Sequence, residues 1–307
     1  MRFLIVGAGA MGGYFGGRLL ESGEDVTFLV RERRAQQLKQ NGLNIKSQFG
    51  DVALPSPPVL LADQINSTFD AVVIGSKAYD LDSIIDAVAP AVGADTLVLP
   101  LLNGMRHIDV LSERFGGERV IGGLCQISAT VDANGTVLHL NDTHTLAFGE
   151  RAGGSSPRVV ALASAMKNAK FNPVLSEQIT QEMWEKWIFI ASLASITSLM
   201  RGTIGDIMAA GQDHLIRKLF GEASAIAAEN GYVPRDAARD RFMAMLTTPG
   251  SPISASMAKD IERGSPVEAE HIVGDLIKRG HANAAPLLGV AYAHLMTYQA
   301  RRAREQA

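Results

Sequence analysis

The sequence predicts an α/β N-terminal half built on a doubly wound parallel sheet, followed by an all-α C-terminal half. Three observations predict it. Short, wholly apolar runs alternate with helical patterns from residue 2 to residue 100. A glycine-rich turn joins the first apolar run to the first helical pattern. Strand signals then stop near residue 177, and the rest of the 307-residue chain reads as helices. The expected division is therefore an α/β nucleotide-binding part over 1–177 and a helical part over 178–307.

Taken in order, Arg2–Val6 is an apolar strand that ends in glycines, and 10–22 carries a helical pattern with Gly23 beyond its end. Asp25–Val30 is a second strand, and Ala35–Asn41 a helix closed by Gly42. Phe69–Gly75 and Thr96–Pro100 are buried strands with a helix, Leu81–Ala91, between them. The segment 119–149 changes character. Val120–Ala129, Thr136–Leu140 and Thr145–Gly149 alternate with turn signals at 132–135 and at Asn141-Asp142, which predicts an antiparallel extension of the sheet. A loop at 153–157 leads into a helix reaching about Lys170, and 171–175 is a last strand. Helices follow at about 178–200, 203–209, 212–230, 235–246, 266–279 and 284–302.

Composition narrows the class. Apolar residues are 47% and charged residues 20%, with 29 Lys plus Arg against 32 Asp plus Glu. That balance offers no footprint for nucleic acid or an anionic membrane. The single cysteine, Cys125, has no internal partner for a disulfide, and no Cys/His cluster shows metal-ligand spacing. The apolar stretch Trp187–Met200 is 14 residues long, short of the roughly 20 a membrane helix needs. The chain starts directly on a strand-like run, so no signal peptide is expected, and the expected setting is cytoplasmic. The expected partner is a small molecule. The helical half also has apolar surface to spare for a homodimer.

Gly7-Ala8-Gly9-Ala10-Met11-Gly12 is G-x-G-x-x-G between a strand and a helix, the Rossmann-type arrangement. The first glycine permits a tight turn. The second lets the backbone approach a pyrophosphate, and the third lets helix pack on strand. A dinucleotide phosphate would then sit on the helix N-terminus. The end of the second strand separates NAD from NADP. Here it carries Arg31, with Arg33 and Arg34 close behind and Glu32 as a competing acid. A guanidinium suits a 2′-phosphate, so NADP(H) is the expected cofactor.

Ligands of such sheets lie beyond the carboxyl ends of the strands. Lys77 and Asn103 stand there. Lys77 suits a substrate carboxylate or a cofactor phosphate, and Asn103 a ribose or substrate hydrogen bond. Each also reads as an ordinary surface lysine or turn asparagine. Further on, Lys186 opens a run that is apolar all round, where a lysine needs a carboxylate, a solvent-filled cleft or a task. Glu182, one turn earlier, offers a local pair. The chemical alternative is a lysine that polarises a carbonyl and gives a proton to the oxygen after reduction. Ser256 lies in a helix-like run, and Glu268 follows twelve positions later at a helix start.

Together these residues resemble the ketopantoate reductase (2-dehydropantoate 2-reductase) family. The resemblance runs from the glycine loop through Arg31, Lys77 and Asn103-Gly104 to Lys186 and the Ser256…Glu268 segment. It implies an N-terminal Rossmann domain, a C-terminal helical domain and an active site in the cleft between them. It also implies NADPH-dependent reduction of ketopantoate to pantoate, a step towards pantothenate. On that resemblance Lys186 is the general acid and Glu268 its carboxylate partner. Asn103 touches cofactor and substrate, and Ser256 the substrate carboxylate side. Lys77 lies beside the cofactor, and Arg31 holds the 2′-phosphate.

The sequence departs from the family pattern at three positions. Family asparagines four and eight residues after the lysine are Ile190 and Ala194 here, and one after the glutamate is Val273. Lost amides point to a less polar 2-keto acid on the same fold, with Thr197 offered as a replacement hydroxyl. A reading of another class is a non-catalytic NADP(H)-binding sensor. Cys125, His107, His271 and the 243–246 run are assigned no role at this stage.

Overall fold

The computed structural model describes residues 1–281 and 285–306. The chain divides into two compact units, Met1–Leu102 with His107–Thr180, and Asn103–Arg106 with Gln181–Ala307.

The first unit opens with β1 (Arg2–Val6), α1 (Ala10–Glu21), β2 (Asp25–Leu29), α2 (Glu32–Asn41), β3 (Leu43–Lys46), β4 (Val52–Leu54) and β5 (Val59–Leu60). It continues with β6 (Ala71–Ile74), α3 (Leu81–Val88), β7 (Leu97–Pro100), α4 (Arg106–Phe115), β8 (Gly122–Val131), β9 (Val137–Gly149), α5 (Pro157–Met166) and β10 (Asn172–Leu175). One sheet has the order β5-β2-β1-β6-β7, with every pair parallel. Arg2 pairs with Asp25 and Phe3 with Ala71. Both faces of this sheet are apolar. Phe3, Ile5, Val73 and Leu99 join the main core cluster, while the alternate residues Leu4, Val72, Ile74 and Val98 are equally buried. That is the signature of a parallel sheet covered on both sides.

The predicted antiparallel extension of this sheet is not what forms. The strands β8, β9 and β10 belong instead to a second sheet of order β10-β9-β3-β4, with β8 paired to β9. An isolated parallel bridge, Val98 to Val120, joins β7 to the segment just before β8. Helix α1 lies between them, and its glycines explain how. A Cβ at Gly16 would stand 2.7 Å from the Phe28 ring, and one at Gly17 2.7 Å from Ile45. A Cβ at Gly13 would stand 2.9 Å from Val137. The helix touches both sheets only because these positions carry no side chain.

Two further expectations are corrected. The turn expected at Asn141-Asp142 is absent, and β9 runs through it. The register of β8 on β9 shifts between Ile127 and Ala129. Asn141 Oδ1 accepts the Ser128 main-chain N–H at 2.7 Å, at the skipped residue. The asparagine satisfies the donor that the bulge leaves unpaired. Helix boundaries also move: α2 begins at Glu32, α3 ends at Val88 before a 3₁₀ turn, and α5 ends at Met166.

The second unit holds most of α6 (Ile179–Met200), then α7 (Ile204–Ala209), α8 (Asp213–Glu229), α9 (Asp236–Leu246), α10 (Ser256–Glu262), α11 (Asp275–Arg279) and α12 (Pro286–Gln306). Residues 191–198 of α6 are buried all round. Helix α12, expected from residue 284, is described from Pro286; residues 282–284 lie outside the described residues. Its first free N–H groups, Leu287 and Leu288, donate to the Glu222 carboxylate of α8. The helix expected over 266–279 is broken up: α11 is preceded by a π-helical turn, Glu270–Gly274. Among the described residues no helix is long and apolar enough to cross a membrane.

Candidate active site

Between β1 and α1 the glycine loop has the geometry its residues dictate. Gly7 stands at φ +87°, a conformation that side chains disfavour. A Cβ on Gly12 would fall 1.9 Å from the Gly7 carbonyl oxygen, so helix and turn close only on glycine. A Cβ on Gly9 would meet nothing within 4 Å, which leaves open space above the α1 N-terminus. Gly9 is the N-cap of α1 and gives no side-chain cap. Ala8 is buried, while Ala10 and Met11 start the helix half-buried. Ser76, at the end of β6 beside Gly7, has a buried Oγ without a hydrogen-bond partner among the described residues. Open space, uncapped N–H groups and an orphaned hydroxyl fit a dinucleotide phosphate.

The three arginines after β2 have different positions. Arg31 is 73% exposed and its Nη2 lies 2.5 Å from Asp80 Oδ1. Arg34 is spent within the fold. Its Nε donates to the Ala8 carbonyl and its Nη2 to the Gly135 carbonyl, both at 3.0 Å. Burial lowers its pKa from the ordinary arginine value. Arg34 thus clamps the glycine loop to the β8–β9 turn. Arg33 is exposed. Glu32, the competing acid, bonds Gln36 in the first turn of α2. Lys77 caps the 3₁₀ turn after β6, and its carbonyl accepts the Asp80 N–H at 3.1 Å. Asp80 therefore links the positions of Lys77 and Arg31, which are distant in sequence.

Within the second unit, the segment Asn103–Arg106 meets the turn that follows Glu268, at His271. Glu268 is buried, and its carbonyl accepts the Ile272 N–H at 2.9 Å. It thus stands just before the helical turns rather than inside them. The π-turn that follows is wide: the Asp275 N–H reaches back five residues to the Glu270 carbonyl. Such turns concentrate at functional sites. Several contacts hold this one. Trp187 Nε1, on α6 next to Lys186, donates to the Ile272 carbonyl at 2.8 Å. The Glu270 carboxylate accepts from Lys278 and from the Tyr292 hydroxyl of α12. That bond, with burial, pushes the Tyr292 hydroxyl up to about 12. A Cβ at Gly274 would stand 2.8 Å from both Glu270 and Tyr292. The Trp187 bond brings the turn of α6 that bears Lys186 to the turn that follows Glu268.

The rotation of α6 is fixed from its other side. Glu185 is buried, and Arg235 grips it with Nε at 2.7 Å, Nη2 at 2.6 Å and its main-chain N–H at 3.0 Å. Burial pushes the Glu185 carboxyl up, and the arginine with Gln181 brings it below its ordinary value. Lys186, the next residue, is half-buried.

The expected replacement hydroxyl is corrected. Thr197 Oγ1 donates to the Leu193 carbonyl at 2.7 Å and accepts the Ala255 N–H at 3.3 Å, with no exposed surface. It fixes the start of α10 instead. Ser256, the first residue of α10, is exposed. Of the three positions without the family asparagine, Val273 and Ala194 are core residues and Ile190 is half-buried.

Ser76 and Asp80 were given no role from the sequence, and His271 was weighed there and left without one. Ser76 follows a buried strand in the same way as Lys77, and that is the signal that could have found it. His271 is buried against Gly104, where a Cβ would stand 3.3 Å from its Cδ2. Its ring also bonds the Asn103 main chain and feels the Glu268 charge. No spacing rule predicts that, because the π-turn changes which residues share a face.

A family model described as ketopantoate reductase PanE/ApbA matches residues 3–153, and the model of that family's C-terminal part matches 178–299. The chain is 39% identical over 306 residues to an uncharacterised oxidoreductase of Bacillus subtilis (strain 168), YkpB, covering 98% of this chain and all of the relative. It is 28% identical to the 2-dehydropantoate 2-reductase of Mesorhizobium japonicum, over 91% of both chains. Its fold is similar to the crystal structure of 2-dehydropantoate 2-reductase from Methylococcus capsulatus, with TM-score 0.87, 27% identity and 98% of each chain covered.

Proposed function

Because the chain belongs to the ketopantoate reductase family, we propose that it is an NADPH-dependent reductase of a 2-keto acid, with 2-dehydropantoate as substrate. The observation that carries this reading is the Trp187–Ile272 bond, which ties the α6 turn bearing Lys186 to the π-turn that follows Glu268. A lysine and a buried carboxylate flanking that junction are suited to hold and deliver a proton.

In this reading the glycine loop receives the pyrophosphate, Ser76 Oγ finds its partner there, and Arg31 with Lys77 receives the 2′-phosphate. When bound, the nicotinamide supplies the hydride for the keto carbon. Lys186 hydrogen-bonds the keto oxygen, draws electron density towards it, and gives it a proton as negative charge develops there. Glu268 balances the ammonium before transfer and orients it. Asn103 holds the substrate on the cofactor side, and Ser256 bonds its carboxylate.

A second reading of the same chemistry has a specific support. Ile190, Ala194 and Val273 offer no hydrogen bond where the family places amides, and Thr197 is already engaged. A branched, less polar 2-keto acid leaves no buried hydroxyl unpaired in such surroundings. The test is turnover, followed by cofactor oxidation, of 2-dehydropantoate beside branched and linear 2-keto acids, with NADPH and NADH in parallel. The first reading expects 2-dehydropantoate to have the highest kcat/KM. A branched 2-keto acid ahead of it by about tenfold or more selects the second. Turnover of no keto acid overturns both.

A further inference from the structure

His271 is a buried titratable side chain to which the proposed chemistry gives no task, yet it stands between two residues that have one. It lies three positions after Glu268, within the π-turn, and is 6% exposed. Its imidazole makes a hydrogen bond to the main chain of Asn103. Gly104 follows at φ +84°, and a Cβ there would stand 3.0 Å from the His271 carbonyl oxygen and 3.3 Å from its Cδ2. The segment Asn103–Arg106 therefore rests directly on this residue, against both its ring and its main chain.

The surroundings make the ring a neutral connector. Burial is the largest influence and lowers its pKa from the ordinary histidine value. Glu268 and Asp275 oppose that shift, and Arg106 adds to it. A neutral imidazole has one N–H donor and one acceptor nitrogen. An apolar side chain of similar volume fills the same space but leaves the Asn103 main chain without that bond. The position of Asn103 relative to Glu268 thus runs through one side chain rather than through the loop alone.

We infer that His271 is a positioning residue that seats Asn103 against the Glu268 turn, and through it sets how well the keto acid is bound. The inference rests on the proposed role of Asn103 as a substrate contact. Amide hydrogen exchange of peptides spanning residues 101–108 tests it without any substrate, and the kinetic constants test it with one. In His271→Leu, exchange in this segment is expected to rise at least tenfold. KM for the keto acid rises at least tenfold, while kcat stays within threefold. His271→Gln and His271→Asn place an N–H at the two ring-nitrogen positions, and one of them restores both readouts to within threefold. Unchanged exchange and KM in a folded His271→Leu overturn the inference. So does a loss that falls on kcat alone, or a loss that neither amide variant restores. If the leucine variant fails to fold, the two amide variants carry the test: one matching the unaltered protein while the other loses both readouts supports it, and a loss in both or in neither overturns it. If the unaltered protein reduces no keto acid, the functional reading fails while the exchange arm still decides the role of His271.

Discussion

Asp80 determines what Arg31 is free to bind. The guanidinium that would receive a 2′-phosphate is held by a carboxylate at 2.5 Å, and an anionic phosphate has to displace that carboxylate or sit beside it. A ribose 2′-hydroxyl has no such conflict, since a carboxylate accepts from it. Asp80→Ala is therefore expected to raise the ratio of NADPH to NADH affinity by about tenfold or more, on the scale of one charge-assisted hydrogen bond. Titration with the two dinucleotides checks it, and an unchanged ratio counts against the role given to Asp80. The glycine loop was legible in the sequence because tight turning and close approach leave no alternative to glycine at Gly7 and Gly12. Arg31 was legible by its place after β2. Its partner was not, because Asp80 lies 49 residues further on and only the fold brings the two together. Glu32, the nearer acid, bonds along its own helix instead.

At the scale of elements, α6 is held on both sides of Lys186, by Arg235 on Glu185 and by Trp187 on the π-turn. In Arg235→Ala the buried carboxylate keeps, among the described residues, Gln181 and a main-chain N–H. Arg235 is 46% exposed, so solvent screens the pair and the expected cost at neutral pH lies below the about 3–5 kcal/mol of a fully buried ion pair, at about 2 kcal/mol. Its pH dependence follows from the direction of the shift. In the unaltered protein the Glu185 carboxyl lies below its ordinary 4.5, so its stabilisation is present above that pH and lost as pH falls through the depressed value. In the variant, burial raises it, so the penalty grows as pH rises above 4.5 and fades below. Denaturant unfolding of both proteins at acid and neutral pH reads this, and a penalty independent of pH contradicts it. Unbroken apolar runs such as those of β1, β6 and α6 were legible. The strands β3, β4 and β5 were not, since none of them holds more than three consecutive apolar residues. Asn141 misled because an asparagine that fills a bulge looks, in sequence, like one that makes a turn. The π-turn is invisible to a 3.6-residue period.

At the scale of the whole molecule, two sheets with a glycine-lined helix between them form one unit and a helical array forms the other. Asn103–Arg106 follows the first sheet in sequence and packs with the second unit. Lys186 and Glu268 belong to that second unit, whereas the glycine loop belongs to the first. In the proposed function, dinucleotide binding and proton delivery would thus fall to separate parts of the chain, and a change in one is expected to spare the other. Lys186→Ala tests this most directly, with dinucleotide affinity and keto-acid turnover measured on the same preparation. The expected result is a dissociation constant within threefold of the unaltered protein and a turnover lower by about 10²–10⁴, the usual contribution of a positioned general acid. Undiminished turnover, or turnover lost together with dinucleotide binding, would contradict the assignment of Lys186 as the acid.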